Sequence, residues 1–229
     1  MDQFANISPP QIQVLAPGLV FMKNALNQEQ QIWLAEYAVA SGYNEVNGFW
    51  TTLPSGERVL NNDTGRGRIY DTIQSFHHHD VVLSICNQVI QAAQSRDSKL
   101  PDMNPTHLLL LYYATQDGMY WHKDSDPNDG DNDHPIVSIS IGNSCSFGYK
   151  LMGRAEEYIT LESGDILVWG GPNRMLLHCV ESVQANTCPS YLPIDNVRLN
   201  FTYRDAPNVI GKESLYKQSV ENTYSTLMK

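Results

Sequence analysis

Between Thr106 and Arg204 the chain is cut into short extended segments, and this most limits what it can fold into. Ile136-Val137-Ser138-Ile139-Ser140-Ile141 alternates with a period of two. Around it stand Thr106 to Ala114, Cys145 to Leu151, Glu157 to Leu161, Ile166 to Trp169, Met175 to Val180 and Val197 to Arg204, separated by Gly, Pro and Asn. About seven short strands with turn signals between them close into a sandwich, barrel or jelly roll. Two helices precede them. Asn27 and Gln30 have the spacing of a capping box, and the helix they open stops at Gly42. A second helix is expected after Asp80 as its N-cap, with Val81, Val82, Ile85, Val89 and Ile90 forming an apolar stripe. Between the helices, 42–76 reads as strand and loop.

A chain of 229 residues, 41% hydrophobic, can bury a core without disulfides or metal staples. The four cysteines form no C-x-x-C pair, which predicts free thiols in a reducing compartment. The sequence MDQFANISPP has neither signal-peptide nor transit-peptide character, and no apolar run is long enough to span a bilayer. These features point to the cytoplasm or nucleus. The net charge of -10 argues against a broad basic surface for nucleic acid. Half of that excess, however, lies in the eighteen residues from Asp117 to His134.

His122-Lys123-Asp124 places two ligand types at i and i+2, on one side of an extended segment. His178, on a later strand, is the candidate third ligand. Two His and one carboxylate leave coordination positions open, the arrangement of non-haem Fe(II) sites. The spacing alone is weak, because His78-His79-Asp80 repeats it at a helix start. Asp124, Asp126 and Asn128 open like a calcium loop, but Gly130 is one position late and Pro135 stands where the bidentate Glu belongs. On the final strand, Arg198, Asn200, Thr202 and Arg204 share one face. Two arginines facing a β core are costly unless anions meet them, and a dicarboxylate would. The alternative is an outward-facing polar edge strand.

In this order, His122-x-Asp124, His178 and Arg198-x-Asn200-x-x-x-Arg204 resemble the AlkB-like family of 2-oxoglutarate- and Fe(II)-dependent dioxygenases. Pro135 to Ser140, Gly164 to Gly171 and Tyr113 support the match, which is good over 105–205 and loose over the N-terminal third. The resemblance implies a mainly β (α+β) fold, a double-stranded β-helix or jelly-roll core buttressed by N-terminal helices. It implies one domain over 1–229, with helices and a substrate lid in 1–104, the catalytic core in 105–205 and a tail in 206–229.

By position, the resemblance assigns His122, Asp124 and His178 to iron, and Arg198, Asn200 and Tyr113 to the far carboxylate of 2-oxoglutarate. Arg204 then lies near the metal-proximal end, and Asp126 lies by the substrate base. Trp50 and Arg68 are lid candidates for stacking on a base or holding phosphate. Leu111 stands where the family usually has Asn, removing one cosubstrate hydrogen bond, and Trp121 is an unusually bulky neighbour for His122.

The implied reaction is oxidative N-demethylation of 1-methyladenine- or 3-methylcytosine-type bases in DNA or RNA. It consumes O2 and releases formaldehyde, succinate and CO2. The implied substrate is single-stranded or a flipped base, acted on by a monomer. The alternative is a hydroxylase or demethylase of a protein or small molecule on the same core.

Overall fold

The computed structural model describes residues 11–43, 48–62, 65–125 and 132–206. In chain order the strands are β1 (Gln11–Ala16), β2 (Leu19–Lys23), β3 (Trp50–Thr52), β4 (Arg58–Leu60), β5 (Arg66–Thr72), β6 (His107–Tyr113) and β7 (Asp117–His122). They continue with β8 (Ile136–Gly142), β9 (Cys145–Lys150), β10 (Glu156–Leu161), β11 (Ile166–Trp169), β12 (Leu177–Val183) and β13 (Arg198–Arg204). Helix α1 (Gln28–Gly42) follows β2, and α2 (His79–Gln94) follows β5.

Two antiparallel sheets make the jelly roll. The major sheet runs β1-β2-β11-β8-β13-β6-β5, the minor sheet β10-β9-β12-β7, and β3-β4 form a separate hairpin. One face of the major sheet packs on both helices through Leu108, Leu110, Val137, Ile139, Leu199, Phe201 and Tyr203. Its other face turns toward the minor sheet, where Leu109, Leu111, Tyr113, Phe147, Trp169 and Val180 form a second apolar cluster. Alternation along β6 and β13 therefore feeds one residue to each side in turn.

The capping box at Asn27 and Gln30 is present, with both hydrogen bonds made. The second helix departs from expectation. His78, in the left-handed region at φ 50°, occupies the N-cap without a side-chain bond, and Asp80 lies inside the first turn. There a carboxylate still complements the positive end of the helix. The expected strand at Met175 starts at Leu177 and runs on to Val183. Strands β1 and β2 were not anticipated, and with β5 they add three N-terminal strands to the major sheet. The outward edge-strand alternative for 198–204 is overturned, because β13 pairs with β6 and β8 along its whole length.

Candidate metal and anion site

The antiparallel pairing of β12 with β7 sets His178 opposite His122. A register shift between His178 and Val180 lets both His122 and Met119 line the cavity, although they are three residues apart. Asp124 follows just after β7 ends. Ligand atoms of His122, Asp124 and His178 all lie within 4.8 Å of one another, and the imidazole centroids are 4.2 Å apart.

Each imidazole is oriented the same way. His122 Nδ1 lies 2.8 Å from the Tyr120 carbonyl, and His178 Nδ1 lies 2.9 Å from the Leu176 carbonyl. A carbonyl only accepts, so both Nδ1 atoms donate, and the neutral tautomer this selects leaves each Nε2 its lone pair for a metal. Such outer partners fix ligand tautomer and ring orientation in metal sites.

Asp124 is held from two sides. Arg204 donates to Asp124 Oδ1, Arg174 donates to the Asp124 backbone carbonyl, and Oδ2 faces His178 Nε2 at 3.8 Å. Burial pushes the Asp124 carboxyl up, but Arg204, His178, His122 and Arg174 together hold it below its ordinary value. Burial lowers His178 despite the opposing pull of Asp124, which keeps its imidazole neutral.

The other end of the cavity is built by the major sheet. Across β5, β6, β13 and β8 the register forms rows: Arg66, Tyr113, Arg198 and Gly142, then Arg68, Leu111, Asn200 and Ser140. Arg198 is 1% exposed, with one bond from Nη2 to Ser140 Oγ at 3.1 Å. Among the described residues its Nε and Nη1 have no hydrogen-bond partner. Leaving such donors buried and unpaired costs about 1–3 kcal/mol or more for a charged group, which an anion would offset. The Tyr113 ring lies 5.0 Å from the Arg198 guanidinium carbon, and burial pushes its phenol up, so it stays a donor.

Asn200 is committed within the sheet. Its amide donates to Ser138 Oγ at 2.8 Å and Ile139 O at 3.1 Å, and accepts from Thr202 Oγ1 at 2.8 Å. Donation to a ligand requires it to release one of these.

A single cavity of about 320 Å³ joins the two ends, and its lining includes Tyr113, His122, Asp124, His178, Arg198, Asn200 and Arg204. Arg68 lines it too, with its guanidinium carbon 5.5 Å from the Tyr70 ring. Trp50 is not brought there. It packs against Tyr43, Phe49 and Tyr112 with centroids 4.8–5.8 Å away. Trp121 leaves the cavity alone as well, covering Gly148 beside Tyr158, where an added Cβ would meet its ring at 3.0 Å. Asp126 lies outside the described residues.

Ser138, Ser140 and Arg174 were missed as supports of the site. The serines had a signal, since alternation in 136–141 puts both on the face turned to Asn200 and Arg198. Arg174 sits after a short 3-10 turn and had no periodic pattern to reveal it.

The model of the 2OG-Fe(II) oxygenase superfamily matches residues 18–204. The chain is 28% identical to the DNA N(6)-methyladenine demethylase ALKBH1C of Arabidopsis thaliana over 83% of its own length and 49% of that protein. It is 27% identical to the alpha-ketoglutarate-dependent dioxygenase AlkB of Escherichia coli, over 90% of this chain and 98% of that one. It thus spans about half of the plant relative and nearly all of the bacterial one. The solved structure of OsALKBH1 shares the fold with a TM-score of 0.68 at 23% identity, over 85% of this chain and 99% of that one. The chain belongs to the 2OG-Fe(II) oxygenase superfamily, as an AlkB-like member of it.

Proposed function

We propose that this protein removes N-methyl groups from bases of DNA or RNA, using Fe(II), 2-oxoglutarate and O2. The observation that carries this reading is one cavity with a His-Asp-His group at one end and a buried guanidinium with two unpaired donors at the other. The donor set fits Fe(II), since two imidazoles and one carboxylate would hold it while leaving positions for ligands. When bound, iron and 2-oxoglutarate supply the oxidation of an N-methyl carbon by O2, with the cosubstrate becoming succinate and CO2 and the methyl carbon leaving as formaldehyde.

The protein's own part is placement. His122, Asp124 and His178 would be the metal ligands, and Arg204 donates to Asp124 Oδ1 while Oδ2 faces His178. Arg198, whose Nε and Nη1 are unpaired, would receive the far carboxylate of 2-oxoglutarate, with Tyr113 beside it and Asn200 able to join by freeing a donor. Leu109, Leu111, Phe147 and Val180 keep the intervening space apolar and exclude water. The bacterial and plant relatives, a dioxygenase and a DNA N(6)-methyladenine demethylase by name, support a methylated-base substrate.

The test is formaldehyde and succinate release from a panel of DNA and RNA oligonucleotides bearing 1-methyladenine, 3-methylcytosine or N6-methyladenine. Formaldehyde matched to succinate on at least one of them is expected. No formaldehyde from any, with succinate formed on a peptide or metabolite, would overturn the reading in favour of a hydroxylase.

A further inference from the structure

The row that carries Arg198 holds a second guanidinium. Tyr113 of β6 pairs with Arg198 of β13 on one side and with Arg66 of β5 on the other. Directly opposed residues of neighbouring strands share a face of the sheet, so both arginines lie on the face of Tyr113. Arg68, two residues further along β5, lines the cavity from that face, whereas Arg66 stands beside Tyr113 and does not line it.

Arg66 is half-buried and anchored. Its Nη1 donates to the Gly118 carbonyl of β7, while its Nε is buried without a partner among the described residues. The anchor is a fixed point, because a Cβ added at Gly118 would meet the Val180 carbonyl oxygen at 1.8 Å. A neutral carbonyl positions the guanidinium without cancelling its charge. Asp117, the residue before Gly118, turns its carboxylate to Thr115 Oγ1 at 3.0 Å. Among the described residues no carboxylate forms an ion pair with Arg66. Burial pushes the Tyr113 phenol up, and Arg198 and Arg66 both pull it back. Other help at this end is scarce, since Leu111 offers no donor and Asn200 is bonded within the sheet.

We infer that Arg66 is a positioning residue for the far carboxylate of 2-oxoglutarate, a second cation that biases the cavity toward 2-oxo acids carrying a second carboxylate. It acts through its charge on Tyr113 and on the ligand, not by contact. Two cations flanking one phenol repel each other, and a carboxylate arriving between the metal end and this row relieves both. The inference rests on the assignment of Arg198 to that carboxylate.

The experiment measures binding to Mn(II)-loaded protein by calorimetry without O2. The ligands are 2-oxoglutarate and 2-oxovalerate, which has a methyl group in place of the far carboxylate and is read by its competition with 2-oxoglutarate. Arg66→Gln and Arg66→Met, two neutral replacements, should each weaken 2-oxoglutarate about three- to tenfold and 2-oxovalerate by less than about twofold. Arg66→Lys should keep most of the parent's preference for 2-oxoglutarate. Equal losses for both ligands, without rescue by lysine, would overturn the inference and leave Arg66 as a tie between β5 and β7. Unchanged 2-oxoglutarate affinity in both neutral variants would overturn it too. Arg198→Met, measured alongside, keeps the two readings apart. Affinity indifferent to Arg198 would overturn the far-carboxylate assignment itself, whereas a loss there with none at Arg66 overturns the role of Arg66 alone.

Discussion

The two ends of the cavity are finished to different degrees. At the minor-sheet end the three candidate ligand side chains are already held by protein groups: both histidines donate to a carbonyl two residues upstream, and Asp124 is gripped by Arg204 and Arg174. Arg204 Nε and Trp169 Nε1 are nonetheless buried there without a hydrogen-bond partner among the described residues. At the major-sheet end Arg198 keeps two buried donors unpaired. On the proposed reading, the first end is largely built before its ligand arrives, whereas the second is completed by its ligand. Metal-end substitutions should therefore damage what the protein holds, and anion-end substitutions should remove a cost that only the cosubstrate offsets.

The largest expected effect breaks the metal end. Asp124→Ala removes the proposed carboxylate ligand and leaves Arg204 facing a lost carboxylate, so Mn(II) or Fe(II) binding followed by calorimetry should fall below detection and turnover should vanish. Metal affinity equal to the parent's would mean that the three residues do not hold the ion.

The anion end should behave in the opposite sense for stability. Arg198→Met replaces an unsatisfied buried cation with an apolar chain, so the ligand-free protein should be unchanged or about 1–2 kcal/mol more stable to urea. Its 2-oxoglutarate affinity should drop about 10- to 100-fold, the equivalent of about 1.5–3 kcal/mol for charge-assisted bonds. A variant that loses stability and keeps affinity would reverse the contrast.

A control outside both ends comes next. Trp50→Ala should cost about 2 kcal/mol of stability, since Trp50 packs three aromatic neighbours at a half-buried position. KM for a methylated oligonucleotide should move by less than about twofold, as expected of a residue that does not reach the cavity.

The smallest effect concerns pH. In metal-free protein, burial holds His178 below the ordinary histidine value of about 6.5, so the unfolded chain binds more protons than the folded one as pH falls through that value. Stability should decline between about pH 7.5 and 5.5, and His178→Gln should flatten its share. Asp124 is shifted below its ordinary value, so its contribution is lost only at more acid pH. Stability rising as pH falls would contradict the neutral state assigned to His178.

Much of this site could be read before any coordinates, for physical reasons. Period-two alternation in 198–204 and 136–141 decides which side chains face a shared interior, so Arg198 and Asn200 followed from spacing, and Ser138 and Ser140, which were missed, could have followed from it too. The i, i+2 spacing of His122 and Asp124 worked in the same way. What was hidden depends on long-range pairing. The partnership of β7 with β12, whose bulge turns Met119 and His122 both inward, leaves no local mark. Neither does the docking of β1 and β2 on β11, nor the approach of Arg174 to Asp124. Trp50 misled because an aromatic beside a lid looks alike whether it meets a base or Tyr112.

The most direct measurement is 2-oxoglutarate binding to the parent and to Arg198→Met, each with and without Mn(II), under anaerobic conditions. One equivalent should bind the metal-loaded parent, more weakly when either the metal or Arg198 is removed and weakest when both are. Affinity indifferent to Arg198 would contradict the assignment of its guanidinium to the cosubstrate, and with it the two-ended cavity on which the proposed demethylation depends.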